Sequence, residues 1–267
     1  MFVTRLTSGV VLLAMILGII ITGGNLLLLF IALISLIGQY ELYRAVKMEK
    51  SILALFGYCA TILYETLLFY ELGNNIVILS AMFLIAVLAV YVITYPKYVT
   101  EQIALIFFGF FYVTVLLSYI YQVRMQPSGI YAVWLIFIAA WGSDTCAYCV
   151  GMLFGKHKLP SKLSPKKTIE GCLGGVVGAG LLGLLYATVF KAELIVDFHN
   201  PQIYFTIIGC CGSIIAQFGD LAASAIKRNH EIKDYGKIIP GHGGILDRFD
   251  SILFTAPIVY LLLDLFI

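Results

Sequence analysis

DLAASAIKRNHEIKDYGKIIPGHGGILDRFDS, residues 220–251, is a polar island in an oily chain. It holds four Asp (Asp220, Asp234, Asp247, Asp250), five cations (Lys227, Arg228, Lys233, Lys237, Arg248), two His and four Gly. Of all 267 residues, 61% are hydrophobic and only 12% are charged. A soluble domain carries about 25% charged residues. So little charge cannot solvate the surface of a globule, and the chain reads as an integral membrane protein with no nucleic-acid partner.

Working outward from the island, nine apolar runs stand near residues 6–22, 26–43, 52–70, 76–95, 103–121, 131–154, 172–190, 204–226 and 251–267. A bilayer core asks for about 20 apolar residues per helix. The expected fold class is therefore all-α: a polytopic membrane protein of about nine transmembrane helices. Gly23-Gly24-Asn25 leads from the first run straight into the second, which favours a transmembrane hairpin over a cleaved signal. With nine helices, fifteen of the 17 Lys and Arg fall on one side of the membrane, leaving Arg124 and Lys191 on the other. The positive-inside bias puts the N-terminus and both long polar loops, residues 155–171 and 227–250, in the cytoplasm. Residues 1–129, helices one to five, hold little polarity beyond Ser, Thr, Tyr and Glu65, and read as a scaffold or lipid-facing domain. Residues 130–267 read as the catalytic domain. The six cysteines lie in or beside apolar runs and are expected to be reduced, buried small hydrophobes.

Several polar residues stand where only chemistry or assembly explains them. Asp144 lies inside an apolar run, where an ionised carboxylate costs about 2.5–3.5 kcal/mol at the helix centre. It shares a helical face with Tyr148 and Gly151 and is expected to face a cavity, the alternative being an ion pair for assembly. In Ser164–Gly171, Thr168 suits an N-cap with Glu170 in the first turn. Lys166 and Lys167 then sit at a helix start suited to anions, the bland alternative being attraction to acidic lipids. The glycines that follow (Gly174, Gly175, Gly178, Gly180, Gly183) permit close helix packing. Asp220 and Ser224 share a face near the end of the eighth helix, and Asp247 and Asp250 open the ninth. Carboxylates from two helices at one depth repel unless a cation lies between them. Mg²⁺, which takes a few carboxylates plus waters and phosphates, suits that place, and Arg228 or Arg248 is the competing partner. Gly241, Gly243 and Gly244 around His242 would let a backbone approach an anion closely. Lys227, Arg228, Lys233 and Arg248 would neutralise a polyphosphate. His157, His199 and His230 are assigned no role.

The island resembles the signature of the phosphatidate cytidylyltransferase family, also called CDP-diacylglycerol synthases. The matching residues run from Ser224 through Lys227-Arg228, Lys233-Asp234, Pro240, His242-Gly243-Gly244 and Asp247-Arg248 to Asp250. Two earlier elements match as well: Asp144, Ala147, Tyr148, Gly151, Phe154 and Gly155, and the run Ser164 to Gly171. The resemblance implies transfer of CMP from CTP to phosphatidate, giving CDP-diacylglycerol and pyrophosphate for phospholipid synthesis. It implies a homodimer in a bacterial inner or plasma membrane, its site facing the cytoplasm. It also implies a Mg²⁺ site, with K⁺ as a second cation, held near Asp220, Ser224 and Asp247. On this reading Asp144, Lys167, Asp220 and Asp247 are catalytic. Ser164, Lys166, Thr168, Glu170, Lys227, Arg228, Lys233, Asp234, His242, Gly243, Gly244, Arg248 and Asp250 bind substrate. A CTP-dependent lipid kinase, releasing CDP, and a membrane transporter are the competing readings.

Overall fold

A computed structural model describes residues 2–159, 163–165, 167–239, 241 and 243–266. The described residues are mainly helical and form no β-strand, only two isolated bridges. Eight helices are long and apolar enough to cross a membrane. They are α2 (Gly24–Ala45), α3 (Ile52–Phe69), α4 (Ile76–Ile93), α5 (Thr100–Met125), α6 (Gly129–Phe154), α7 (Ile169–Val189), α8 (Pro201–Asn229) and α9 (Leu246–Phe266). A further helix, α1 (Phe2–Thr22), precedes them and has a shorter apolar stretch, Gly9–Thr22. Each helix coincides with one of the nine apolar runs.

The chain forms two compact units: Met1–Ser118 with His230–Arg248, and Tyr119–Asn229 with Phe249–Ile267. The division differs from the one expected at residue 129. Most of the polar island belongs with the first five helices, because its backbone is hydrogen-bonded to α2.

In the first unit, Tyr43 of α2 is fully buried and its hydroxyl donates to the Ile106 carbonyl of α5 at 2.9 Å. Gly57 of α3 and Gly109 of α5 make room for that ring: a Cβ there would stand 2.6 and 2.5 Å from its atoms. A polar seam also joins these helices. Thr61 Oγ1 donates to Gln39 Oε1 at 2.9 Å and lies 2.8 Å from Thr114 Oγ1, and Tyr64 OH lies 3.1 Å from Ser118 Oγ. Hydrogen bonds of this kind join helices where lipid supplies no hydrophobic drive. Helix α4 is different: only Phe83, Val87 and Val90 are buried. The remainder is apolar surface suited to lipid.

In the second unit, α7 packs against α6 and α8 through a stripe of small residues, as expected. A Cβ on Gly174 would meet Val150 at 2.5 Å, one on Gly178 would meet Cys146 at 2.5 Å, and one on Gly183 the Phe205 carbonyl at 2.4 Å. The hydroxyls of Ser143 on α6 and Ser213 on α8 lie 2.6 Å apart in the interior. Ahead of Ser143 and Asp144, residues Ile138–Gly142 form a π-helical turn. Such a turn inserts one residue into the α register and is common at functional sites. The cysteines are reduced, but none is buried, and Cys59 and Cys149 are exposed. Two of the half-buried ones lie at helix contacts: Cys146 packs against Gly178 and Cys210 against Gly180.

Candidate active site

The second unit gathers acids and lysines around the start of α7. Thr168 caps that helix, its hydroxyl accepting from Gly171 N at 3.1 Å. Ahead of the cap the chain doubles back. Leu159 N donates to Lys167 O and Ile169 N to His157 O, both at 2.9 Å. Glu170 fastens this turn: its carboxylate accepts from Lys156 N and His157 N at 3.2 Å, and His157 Nδ1 lies 2.5 Å from Oε1. Glu170 is thus engaged within its own loop, and His157, which the sequence left without a role, is its partner. Ser164 lies in the same loop, half-buried.

That turn aims Lys167 at α8. Its ammonium lies 2.5 Å from Asp220 Oδ2, with both side chains about a quarter exposed. Asp144 is within electrostatic reach of both Lys167 and Asp220. Asp250 is within reach of Asp220, Asp144 and Lys227, and its Oδ1 accepts from Ser251 N at 2.8 Å. The close approach of α8 to α9 has a simple cause. Gly219, next to Asp220, has no side chain, and a Cβ there would stand 2.9 Å from the Asp250 carbonyl. Asp144, Tyr148 and Gly151 line a cavity of about 380 Å³ together with Lys167 and Thr168, as the shared helical face predicts. Gln217, unremarked in the sequence, also lines it and donates to the Cys172 carbonyl at 3.1 Å. Ser224 lies one turn beyond Asp220 on α8, half-buried, while Arg228 is exposed near the end of that helix.

The first unit holds the other part of the island. Asp247 is buried, and its Oδ2 accepts from Tyr235 N at 2.8 Å and Gly244 N at 3.0 Å. Ile239 N donates to Gly243 O at 2.9 Å, closing a tight loop in which Gly241 and Gly243 take φ of 79° and 90°. These positive values are readily adopted only by glycine. The N–H of Gly244, expected to face an anion, is committed to Asp247. Lys233, Asp234 and Lys237 are exposed and border a cavity of about 480 Å³, which Arg44 of α2 joins. Arg44 donates to the Tyr235 carbonyl at 2.6 Å. Nε of Arg248 is buried with no hydrogen-bond partner among the described residues. Lys166 and His242, both expected to bind substrate, lie outside the described residues.

Two residues that sequence reasoning missed hold this loop. Arg44 is one. The other is Glu41, fully buried on α2, whose Oε1 accepts from Ile245 N at 3.1 Å and Oε2 from Leu246 N at 2.9 Å. Each is visible in the sequence as a charge at the end of an apolar run. Nothing local in the sequence points to partners some two hundred residues away.

Among the described residues no three Asp, Glu, His or Cys side chains converge into a ready-made metal cage. Mg²⁺ seldom uses one: it is commonly held by one or two carboxylates, with waters and substrate phosphates completing its shell. The oxygens of Asp220 and Ser224, with Asp144 and Asp250 in reach, fit that chemistry.

The sequence pattern of the Cytidylyltransferase family matches residues 3–266. The chain is 34% identical to the phosphatidate cytidylyltransferase of Bacillus subtilis over 98% of its own length and 97% of that protein's. It is 34% identical to the Staphylococcus epidermidis phosphatidate cytidylyltransferase, over 97% and 98% of the two chains. The Rickettsia prowazekii phosphatidate cytidylyltransferase is 39% identical over 64% of this chain and 72% of its own.

Proposed function

Because the chain belongs to the cytidylyltransferase family, we propose an assignment of its residues to the transfer of CMP from CTP to phosphatidate. A phosphatidate oxygen attacks the α-phosphorus of CTP. The new P–O bond forms as the bond from the α-phosphorus to the bridging oxygen breaks, and pyrophosphate leaves. The attacking oxygen is already anionic, so no strong general base is needed. What the protein must supply is position and positive charge.

The observation that carries the assignment is the Lys167–Asp220 pair at 2.5 Å, with Asp144 and Asp250 around it beside an open cavity. Lys167 holds a phosphate oxygen there, and Asp220 orients the ammonium. Lys227 adds a second positive charge beside Asp250. In the first unit, Arg44, Lys233 and Lys237 border a cavity suited to phosphate oxygens. Nε of Arg248, which has no hydrogen-bond partner among the described residues, is a buried donor to which a phosphate oxygen would offer an acceptor. Asp220 and Ser224 would hold Mg²⁺, which, when bound, offsets the charge that develops on the phosphate oxygens. The heavy bias of Lys and Arg to one side supports a cytoplasmic position for both polar loops. The homodimer rests on the family resemblance alone.

The test is purified protein with labelled CTP, phosphatidate and Mg²⁺, with and without chelator. Pyrophosphate and CDP-diacylglycerol are the expected products, and release of CDP would point to a kinase and sink the reading. Asp220→Asn, inserted and folded, is expected to lose at least about 100-fold in kcat, as when one preorganised electrostatic contact is removed. Ordinary turnover by this variant would remove Asp220 from the machinery.

A further inference from the structure

We infer that Glu41 is a positioning residue for the reaction: its carboxylate, on a helix otherwise built for packing in lipid, sets the shape of the loop from Tyr235 to Leu246. The inference rests on the cytidylyltransferase reading and adds a residue from outside the signature. Four observations converge on it, all within the first unit.

Glu41 is fully buried, and a buried carboxylate is costly unless it is hydrogen-bonded. It is bonded, to the N–H groups of Ile245 and Leu246. These belong to the start of α9, where backbone donors lack helical partners and the helix dipole favours negative charge. The neighbouring donor, Gly244 N, goes to Asp247. Three consecutive N–H groups are therefore held by two carboxylates of the protein itself, which fixes the loop before any substrate arrives.

The glycines agree. A Cβ on Gly244 would stand 2.3 Å from Glu41 Oε1 and 2.4 Å from Oε2, and one on Gly236 would stand 2.0 Å from Oε1. Neither glycine has a positive φ. Their lack of a side chain is explained by the approach of Glu41, not by backbone conformation. One turn along α2, Arg44 takes the Tyr235 carbonyl, so the same helix end grips the loop at both ends. Between those grips lie Lys237 and, just ahead of them, Lys233, the cations that border the cavity. Releasing Glu41 frees the segment on which those cations are aimed.

The test uses the full chain, purified in lipid nanodiscs. It measures kcat, KM for each substrate, thermal stability, and hydrogen exchange across residues 235–246. Glu41→Gln keeps one acceptor oxygen but replaces the other with a donor that faces a donor. It is expected to lose about tenfold in kcat, and Glu41→Ala about 100-fold, with KM for phosphatidate unchanged. Faster exchange should be confined to residues 235–246. A double-mutant cycle separates positioning from general damage. Gly244→Ala alone should lower kcat more than tenfold. In the Glu41→Ala background the same change should add less than about twofold, because the atoms it would strike are gone. A folded Glu41→Gln protein with wild-type kcat and wild-type exchange would overturn the inference. So would full additivity of Gly244→Ala and Glu41→Ala. If the wild-type protein makes no CDP-diacylglycerol while exchange still responds to Glu41, the assigned reaction fails and the control of the loop by Glu41 stands.

Discussion

Glu41 and Glu65 are two buried carboxyl groups in the same unit, 0% and 5% exposed, on adjacent helices. Both would be expensive in a bilayer. Glu41 accepts two backbone N–H groups and stands at a helix start. Glu65 lines an apolar groove beside Leu29, Leu33 and Ile62, and among the described residues neither of its oxygens has a hydrogen-bond partner. The difference shows that burial by itself says little about what a carboxyl does. One is part of the architecture of the polar loop; the other is carried by the fold at a cost.

The largest effect expected from this contrast is at Asp247, which shares the grip of Glu41 on the loop. Asp247→Ala leaves Tyr235 N and Gly244 N buried without acceptors, at about 1–3 kcal/mol each. Hydrogen exchange over residues 235–246 should accelerate, and turnover should fall by at least about 100-fold, because the segment that carries Lys237 and follows Lys233 loses its set geometry. Unchanged exchange at Tyr235 and Gly244 would show that Asp247 does not hold the loop, and the kinship with Glu41 would fail.

Glu65 should respond in the opposite direction. Glu65→Leu removes a buried polar group without a hydrogen-bond partner among the described residues and leaves an apolar side chain beside Leu29 and Ile62. Thermal unfolding in detergent should report a gain of about 1–3 kcal/mol, the amount usual for an unsatisfied buried polar group in proteins. Activity should be unaltered. A clear loss of stability or turnover would mean that Glu65 has a partner of its own, and the contrast with Glu41 would disappear.

The parts of this molecule legible in its sequence are those set by local spacing. Apolar runs of bilayer length locate every long helix. Thr168 followed by Glu170 marks the start of α7, and the i, i+4, i+7 spacing of Asp144, Tyr148 and Gly151 puts them on one cavity wall. Small residues along α7 signal close packing before any partner is known. Whatever depends on tertiary pairing is not legible. Glu41 and Gln39 are single polar letters within an apolar run, and their partners are Ile245, Leu246 and Thr61. Their absence from the expected site made α2 look like scaffold only. Gly241, Gly243 and Gly244 suit a close backbone approach to an anion, yet Gly244, together with Gly236, also makes room for Glu41. The π-helical turn before Asp144 has no recognisable composition, because it is a matter of register and not of residue type.

The smallest effect is expected at a third carboxylate, Glu170. Like Glu41 it accepts from two consecutive backbone N–H groups, Lys156 and His157, and it adds the His157 ring. The hydrogen-bond pattern is nearly the same as that of Glu41, but the setting is not. Its partner is 75% exposed, and water competes for every one of these bonds. Exposed hydrogen bonds to a carboxylate contribute little, and whatever part of them is electrostatic is further weakened by salt. Glu170→Gln should therefore leave thermal unfolding indistinguishable from wild type at physiological ionic strength. Hydrogen exchange at Lys156 and His157 should rise slightly, and the rise should vanish when the comparison is made in high salt. If instead Glu170→Gln destabilises the fold as much as Glu41→Gln does, solvent exposure is not what separates these carboxylates. The loop before α7 would then have to be as rigidly set as the loop before α9.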